Sequence, residues 1–175
     1  MHDTTNSPHS AESLVAIQPY SRELLPWFVA INQEWIGAMF ELEDTDRKVL
    51  QNAEELIINN GGRIFFASHA ERGVVGTCAL LKKGERTYEL TKMGVTEKAR
   101  GLKAGDALMT EVIRVAEEMG IENLFLLTNK ICEAAIHLYY KYGFVDDAEI
   151  MQKYGPLYQR CNVAMRYRGN GRRNL

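Results

Sequence analysis

The segment most clearly suited to chemistry runs from Arg100 to Gly105 and reads RGLKAG. It follows a predicted strand, 88–95 (YELTKMGV), and opens an amphipathic helix. A strand, a loop rich in glycine and basic residues, and then a helix start form an arrangement that binds phosphorylated ligands. The first turn of a helix leaves its backbone N–H groups unpaired, and they point at the ligand. The sequence therefore predicts a phosphate-bearing ligand at this loop.

Composition narrows the classes of partner. The chain has 175 residues, 46% of them hydrophobic, which is enough for one sizeable core. Its 21 Lys+Arg against 23 Asp+Glu give a net charge of -2, so a nucleic-acid partner is not expected. No apolar run reaches the roughly 18 residues of a membrane span, and no secretory signal opens the chain. We expect a cytoplasmic protein without a membrane partner, either a monomer or a homodimer.

Metal ligands are not predicted. The three cysteines, Cys78, Cys132 and Cys161, form no CxxC motif and no cluster with histidine. We expect them to be small, buried, apolar side chains of a protein in a reducing compartment. The four histidines show no ligand spacing either, so we expect no metal ion.

The elements that must position the loop follow from hydrophobic periodicity and turn residues. Helices are predicted over 21–36 (capped by Ser21 and disturbed at Pro26), 44–58 (capped by Asp44 or Thr45), 105–119 and 133–142. Strands are predicted over 14–17, 63–68, 74–81, 87–95, 123–128, 144–145 and 162–167. Residues 1–12 are expected to be a disordered leader, 13–168 one domain and 169–175 a flexible tail. A meander joined to β-α-β crossovers predicts a single α/β (α+β) domain, with helices on both faces of a mixed sheet.

Four segments of the chain, in this order and spacing, resemble the GNAT superfamily of acetyl-CoA-dependent N-acetyltransferases. They are 74–80 (VVGTCAL), 89–105 (ELTKMGV through RGLKAG), 127–129 (LTN) and 135–144 (AIHLYYKYGF). The resemblance spans roughly residues 14–167 and implies a mostly antiparallel sheet and a domain that uses acetyl-CoA as co-substrate. It implies transfer of an acetyl group to a primary amine of a small molecule, an amino acid or a protein.

By this resemblance, the loop wraps the pyrophosphate of coenzyme A. The residues that the resemblance assigns to the coenzyme are Met93, Gly94, Val95, Arg100, Gly101, Leu102, Lys103, Ala104, Gly105, Asp106, Asn129, Tyr139 and Tyr142. The chain departs from the family pattern at Lys103, where the first glycine is usual. A left-handed backbone there would cost lysine roughly 1 kcal/mol more than glycine. Its ammonium could offset this cost by meeting a phosphate.

The resemblance also assigns a base, because an amine is mostly protonated at neutral pH and must lose a proton before or during attack. Glu89, on the strand before the loop, would take that proton directly or through water. The alternative is a solvated strand glutamate paired with Lys92 or Arg86.

The leaving thiolate of coenzyme A needs a proton in return, and Tyr139 matches the family tyrosine that faces the sulfur. At about 100° per residue, Tyr139 and Tyr142 share a helix face while Tyr140 points away. The alternative for Tyr139 is a core aromatic with one polar handle.

The same resemblance implies two further roles. A backbone N–H near Met93, at a bulge that splays two strands, would stabilise the developing oxyanion, and Val95 would hold the pantetheine arm. The alternative for Met93 and Val95 is that their side chains are ordinary residues of the hydrophobic core. Asn129 resembles the asparagine that binds this arm, and the alternative is a turn-former or helix cap.

The sequence gives less information about the residues that bind the acceptor amine. Trp35, Phe40 and Glu41 could line it, and so could the segment 146–160, which contains Tyr158. Two alternatives to acetyl transfer stay open from the sequence. One is a coenzyme A-binding regulatory domain without catalysis, and the other is an N-acyltransferase that uses a different acyl-CoA.

Overall fold

A computed structural model describes residues 15–169 of the chain. The predicted leader, 1–12, and nearly all of the predicted tail, 169–175, therefore lie outside the described residues.

Within residues 15–169, seven strands form one mixed sheet, whose order is β1-β2-β3-β4-β5-β7-β6. The strands are β1 Val15–Pro19, β2 Arg63–His69, β3 Gly73–Gly84, β4 Thr87–Val95, β5 Asn123–Thr128, β6 Phe144–Asp146 and β7 Val163–Tyr167. The pairing of β4 with β5 is parallel, and the other five pairings are antiparallel. The predicted single-domain, mostly antiparallel sheet is confirmed.

Helices cover both faces of the sheet. They are α1 Leu25–Met39, α2 Asp44–Gln51, α3 Ala104–Glu118, α4 Glu133–Lys141 and α5 Ala148–Tyr154. On one face, α3 buries Leu108 and Met109 against Leu90 and Leu126 of the sheet. On the other face, residues of α1 and α2 pack on β2 and β3, and Ile150 of α5 packs on Phe125 and Ala164. The two apolar layers hold the sheet rigid between them.

The first two helices differ in detail from the prediction. The chain turns after Ser21, and α1 begins at Leu25, with Pro26 in its first turn, where a missing N–H costs nothing. The cap of α2 is Glu43 rather than Asp44 or Thr45, because Glu43 and Asp46 form a reciprocal capping box. A π-helical turn over Glu54–Ile58 then replaces the predicted end of α2.

One helix was missed. The prediction had no helix in the segment 146–160, but α5 and a 3-10 turn over Gly155–Leu157 lie there. Asp147 caps α5 by accepting a hydrogen bond from the Ile150 N–H. The helix has only seven residues, too few for its periodicity to stand out, and its stability comes from packing on β5 and β7.

Candidate active site

The sheet divides between its two parallel strands. The β4–β5 pairing ends at Leu90 and Leu126. Beyond this point β4 stays with β3, as far as the pair Val95 and Gly76, and β5 stays with β7. A gap therefore opens between residues 91–95 of β4 and the end of β5.

A β-bulge marks the start of this gap. Gly94 opposes Thr77 and Thr91 opposes Ala79, so Lys92 and Met93 together face the single residue Cys78. Lys92 has a φ of 53°, in the left-handed region. A bulge bends its strand and takes residues out of the ladder, which turns β4 away from β5 here. The predicted splay near Met93 thus has a bulge as its physical basis.

A groove of about 420 Å³ runs along the outer part of the gap, between the end of β4 and the start of α4. Its walls include Gly94 and Val95 on one side and Ile131 and Leu138 on the other. Val95 is 39% exposed and Ile131 is 52% exposed. Large apolar side chains left exposed along one groove are typical of a ligand-binding surface.

A smaller cavity of about 50 Å³ adjoins the groove on the inner side of the gap. Trp35, Met93 and Cys132 line both spaces and so mark their junction. The Trp35 indole packs against Gly94 of β4, where a Cβ would come within 2.3 Å of the indole Cδ1. The Trp35 Nε1–H donates to Asn32 Oδ1 at 2.9 Å, which fixes the ring.

The predicted phosphate loop lies at the far end of the groove. A turn with a hydrogen bond from Leu102 N to Ala99 O places Gly101 at φ 79°, a conformation that glycine adopts freely. Lys103 then takes φ 55° and ψ 36°, so this lysine does occupy the left-handed region. The regular helix bonds of α3 begin with Ala107 N to Lys103 O, so the amides of residues 104–106 belong to the first turn, which in an α-helix lies before the regular bonds.

Charged side chains surround the loop, although several of them bind one another. Arg100 is exposed and contacts Glu97 at 3.2 Å. Asp106 accepts hydrogen bonds from Lys141 and from the Tyr142 hydroxyl, which ties the start of α3 to the end of α4. The bond from Lys141 is the main reason that the pKa of Asp106 is lowered. Gly105 faces α4, and a Cβ there would come within 2.9 Å of Leu138.

Glu89 is buried, with 1% of its surface exposed, so the alternative of a solvated strand glutamate is wrong. Its Oε1 has no hydrogen-bond partner among the described residues. Burial raises the pKa of Glu89, and the charges of Lys83 and Lys92 oppose this only in part. Glu89 shares a face of β4 with Thr91, a residue of the cavity wall, so its carboxyl lies one layer behind that wall.

Tyr139 lies at the edge of the core, 7% exposed, with its ring tilted against Phe144 at a centroid distance of 6.1 Å. Burial raises its pKa, and so does the nearby Cys132 thiol at the junction of groove and cavity. The phenol therefore keeps its proton. Tyr140 points away, as the helix phasing predicted: it is 47% exposed and donates to Asp146 at 2.9 Å.

Asn129 lines the small cavity, but its side chain already forms hydrogen bonds with backbone groups. Its Nδ2 donates to Arg160 O at 2.6 Å, and its Oδ1 accepts from Ile131 N at 3.0 Å. The turn-forming role weighed for Asn129 is therefore present, and its contact with the coenzyme stays a prediction.

The structure reveals a buried ionic cluster that sequence reasoning missed, formed by Glu43, Asp46, Lys92, Tyr158 and Arg160. Lys92 Nζ donates to Asp46 Oδ1 at 3.0 Å and to the Tyr158 hydroxyl at 3.1 Å. Arg160 donates from both terminal nitrogens to Asp46 and also to Glu43. Burial would raise the pKa of Asp46, but the hydrogen bond from Arg160 and the charge of Lys92 outweigh it and hold this pKa at about 2.

Lys92, Tyr158 and Arg160 of this cluster line the cavity, and three of the predicted acceptor residues line it too. Phe40 and Tyr158 both line the cavity, as does Trp35. The Arg160 guanidinium lies 4.8 Å from the Tyr158 ring centroid and 5.7 Å from that of Phe40. In the sequence, the only indication of this ionic cluster was the capping-box spacing of Glu43 and Asp46. It would have located the two carboxylates but not their partners.

Between residues 15 and 169, no helix combines the length and apolar character needed to cross a membrane. Over the same residues, no group of three or more His, Cys, Asp or Glu side chains is arranged to hold a metal ion.

Comparison with known proteins identifies the family to which this chain belongs. The sequence model of the family described as "Acetyltransferase (GNAT) family" matches residues 18–144. The match covers well over half of the chain, and the chain therefore belongs to the GNAT acetyltransferase family.

Individual relatives are more distant. N-acetyltransferase 8 of Rattus norvegicus is 26% identical over 133 residues, which are 72% of this chain and 58% of the rat protein. The chain thus spans little more than half the length of this relative. A GNAT-family acetyltransferase from Staphylococcus aureus Mu50 superposes with a TM-score of 0.75 at 24% identity, over 87% of this chain and 98% of that one. The PaiA N-acetyltransferase from Thermoplasma acidophilum, solved in complex with coenzyme A, gives a TM-score of 0.64 at 16% identity, over 87% and 98%. At these identities the two structures show a shared fold.

Proposed function

We propose that this chain transfers the acetyl group of acetyl-CoA to a primary amine by direct attack of the amine on the thioester. The observation that carries this proposal is the divided sheet, in which a groove and a small cavity meet at Met93. Two adjoining spaces of this kind would let the two substrates approach from opposite sides and react at one point, as a direct transfer requires.

The residues around the groove fit coenzyme A. The amides of residues 104–106, with Arg100 and Lys103 beside them, suit its diphosphate. The apolar walls near Val95 and Leu138 suit its pantetheine arm. Acetyl-CoA supplies a thioester carbon for the amine to attack and a thiolate that leaves.

Glu89 serves as the base in this proposal. Its raised pKa brings it closer to neutral pH, where a base accepts a proton most effectively. Since Thr91 stands between Glu89 and the cavity, the proton reaches the carboxylate through a water molecule beside Thr91. The Oε1 atom, which has no hydrogen-bond partner among residues 15–169, is the acceptor that this route needs.

Met93 and Tyr139 serve the other side of the reaction. The bulge takes Met93 out of the regular ladder, so its backbone N–H can donate to the thioester oxygen. Tyr139 stays protonated because its pKa is raised, and it can give its proton to the leaving sulfur.

The test is thiol release from acetyl-CoA upon addition of amines to the purified chain, with coenzyme A binding measured separately by calorimetry. We expect both binding and amine-dependent thiol release. Binding without release for any amine would make the chain a coenzyme A-binding domain. Faster release from propionyl-CoA or butyryl-CoA would replace the acetyl donor by a longer one.

A further inference from the structure

In the buried ionic cluster, the carboxylates have nearly filled their hydrogen-bonding capacity, whereas the cations have not. Asp46 accepts two at each carboxylate oxygen: Lys92 and Arg160 at Oδ1, and Arg160 and the Glu43 N–H at Oδ2. Glu43 accepts from Gln159 N at one oxygen and from Arg160 at the other. The two carboxylates have little capacity left to accept.

The cations, in contrast, have donors to spare. An ammonium has three N–H groups, and Lys92 uses two of them, on Asp46 and Tyr158. A guanidinium has five, and Arg160 uses two at Nη1 and one at Nη2, which leaves Nε–H and a second Nη2–H. Polar groups in a confined site need partners, so these donors require an acceptor-rich ligand or water.

The cavity wall shows the same imbalance of charge. Lys92 and Arg160 both line the cavity, whereas Asp46 and Glu43 lie behind them. Among the described residues, no carboxylate lines this cavity. An acceptor that carries only ammonium groups would therefore meet two cations in the wall and no carboxylate.

We infer that the acceptor is an amino acid or a small amino-acid derivative, whose free carboxylate binds the unused donors of Arg160 and Lys92. This inference rests on the proposed acetyl transfer and narrows its substrate class. A volume of about 50 Å³ suits a planar carboxylate, which matches the fork of a guanidinium. The aromatic walls, Trp35, Phe40 and Tyr158, suit the hydrocarbon part of such a molecule.

The first test compares matched acceptors by thiol release. α-, β- and γ-amino acids are each paired with the amine of the same carbon skeleton that lacks the carboxylate, and with spermidine as a carboxylate-free polycation. Rates are expressed per neutral amine, because the ammonium pKa differs within each pair. At least one acid should exceed its amine about tenfold or more in kcat/KM, as a charged hydrogen-bond partner implies. Equal or faster rates for every carboxylate-free amine, or for spermidine, would overturn the inference but leave acetyl transfer intact. No thiol release from any acceptor would instead refute the proposed function.

The second test locates the recognition at Arg160. Arg160→Gln should reduce the preference for the acid to about threefold or less, while thiol release from plain amines continues. Arg166→Gln is the matched control, because Arg166 is similarly shielded and paired with Asp147 but does not line the cavity. An unchanged preference in Arg160→Gln would overturn the assignment.

If Arg160→Gln does not fold, calorimetry on the unmodified chain decides the question. With coenzyme A present, an N-acetylated amino acid should bind about tenfold more tightly than the N-acetylated amine of the same skeleton. Equal affinities would refute a carboxylate site.

Discussion

At the scale of single residues, burial decides what Glu89 can do. A glutamate on a strand is ordinarily solvated, but this one is 1% exposed and its Oε1 lacks a hydrogen-bond partner within the described part of the chain. The neutral form is favoured there, because burial raises its pKa. Such a group is costly for stability at neutral pH, which is typical of a functional site.

Glu89→Gln should lower kcat while coenzyme A affinity stays nearly the same, since the carboxyl lies away from the groove walls. In the unmodified chain kcat should rise with pH through the raised pKa of Glu89. In the variant this limb of the pH–rate profile should disappear. Glu85→Gln, an exposed glutamate at the tip of the same hairpin, is the control. An identical profile in Glu89→Gln would remove Glu89 from the reaction.

Although Glu89→Gln should lower kcat, it should favour the stability of the folded chain increasingly as pH rises. The pKa of Glu89 is higher in the folded chain than in the unfolded one. Its contribution to stability is therefore fully present below the unfolded pKa and is lost as pH rises through the folded pKa. Glutamine does not titrate, so the free energy of unfolding of the variant should gain on that of the unmodified chain as pH rises. Urea unfolding at several pH values measures this difference.

Tyr139→Phe should slow the chemical step by about 10²-fold, within the range for loss of a general acid. The ring remains, so its contact with Phe144 and coenzyme A binding should both survive. Single-turnover acetyl transfer measures the step. Tyr140→Phe is the control, because its hydroxyl contacts Asp146 on the surface. A wild-type rate for Tyr139→Phe would leave Tyr139 as a core aromatic only.

At the scale of elements, the unit of β4, loop and α3 concentrates unusual backbone geometry. Both Lys92 at the bulge and Lys103 at the start of α3 have positive φ values, although neither is glycine. A left-handed conformation costs such residues roughly 1 kcal/mol each. Lys92 is held by Asp46 and Tyr158, whereas Lys103 is exposed. The role of its ammonium at a phosphate stays a prediction.

Lys103→Gly should raise the free energy of unfolding by about 1 kcal/mol, because glycine adopts this backbone conformation without strain. It should also weaken coenzyme A binding by about threefold, the scale of one exposed charge pair. Arg86→Gly is a matched control. Arg86 also has a positive φ, of 51°, but it lies in the hairpin turn before β4. That variant should gain stability with unchanged coenzyme affinity. Unchanged affinity in Lys103→Gly would mean that the lysine is merely tolerated.

At the scale of the whole molecule, the buried ionic cluster joins three distant parts of the chain. Asp46 is 46 residues from Lys92 and 114 from Arg160. The contacts connect the start of α2, the bulge in β4 and the segment between α5 and β7. They hold together the two sides of the divided sheet behind the cavity.

Asp46→Asn should lower the free energy of unfolding by about 3 kcal/mol, because it leaves the charges of Lys92 and Arg160 incompletely paired. Asp44→Asn, an exposed aspartate of the same helix, should change it by less than about 0.5 kcal/mol. The folded pKa of Asp46, about 2, is depressed, so its contribution is present above the unfolded value and is lost as pH falls through about 2. Urea unfolding near pH 7 and near pH 2 should show the gap between variant and parent narrowing in acid. A gap that does not depend on pH would contradict the assigned ionisation.

Local patterns were sufficient for most of the fold. The strand at 123–128 and the helices after Lys103 and Cys132 agree with the prediction within a residue. Their apolar periodicity is strong, and Gly120 and Gly143 end the helices clearly. The short α5 and the true cap of α2 were missed, because each depends on packing or on a side-chain pair that periodicity does not reveal.

The amino-acid sequence by itself determined the order of the elements except α5, the glycine and basic loop, and the family to which the chain belongs, since these depend on local residue patterns and on their order along the chain. Only the tertiary structure decided that Glu89 is buried and that Lys92 and Arg160 face the cavity with Asp46 behind them. Ionisation and donor capacity depend on the desolvation and partners that distant segments impose, and sequence spacing carries no information about either.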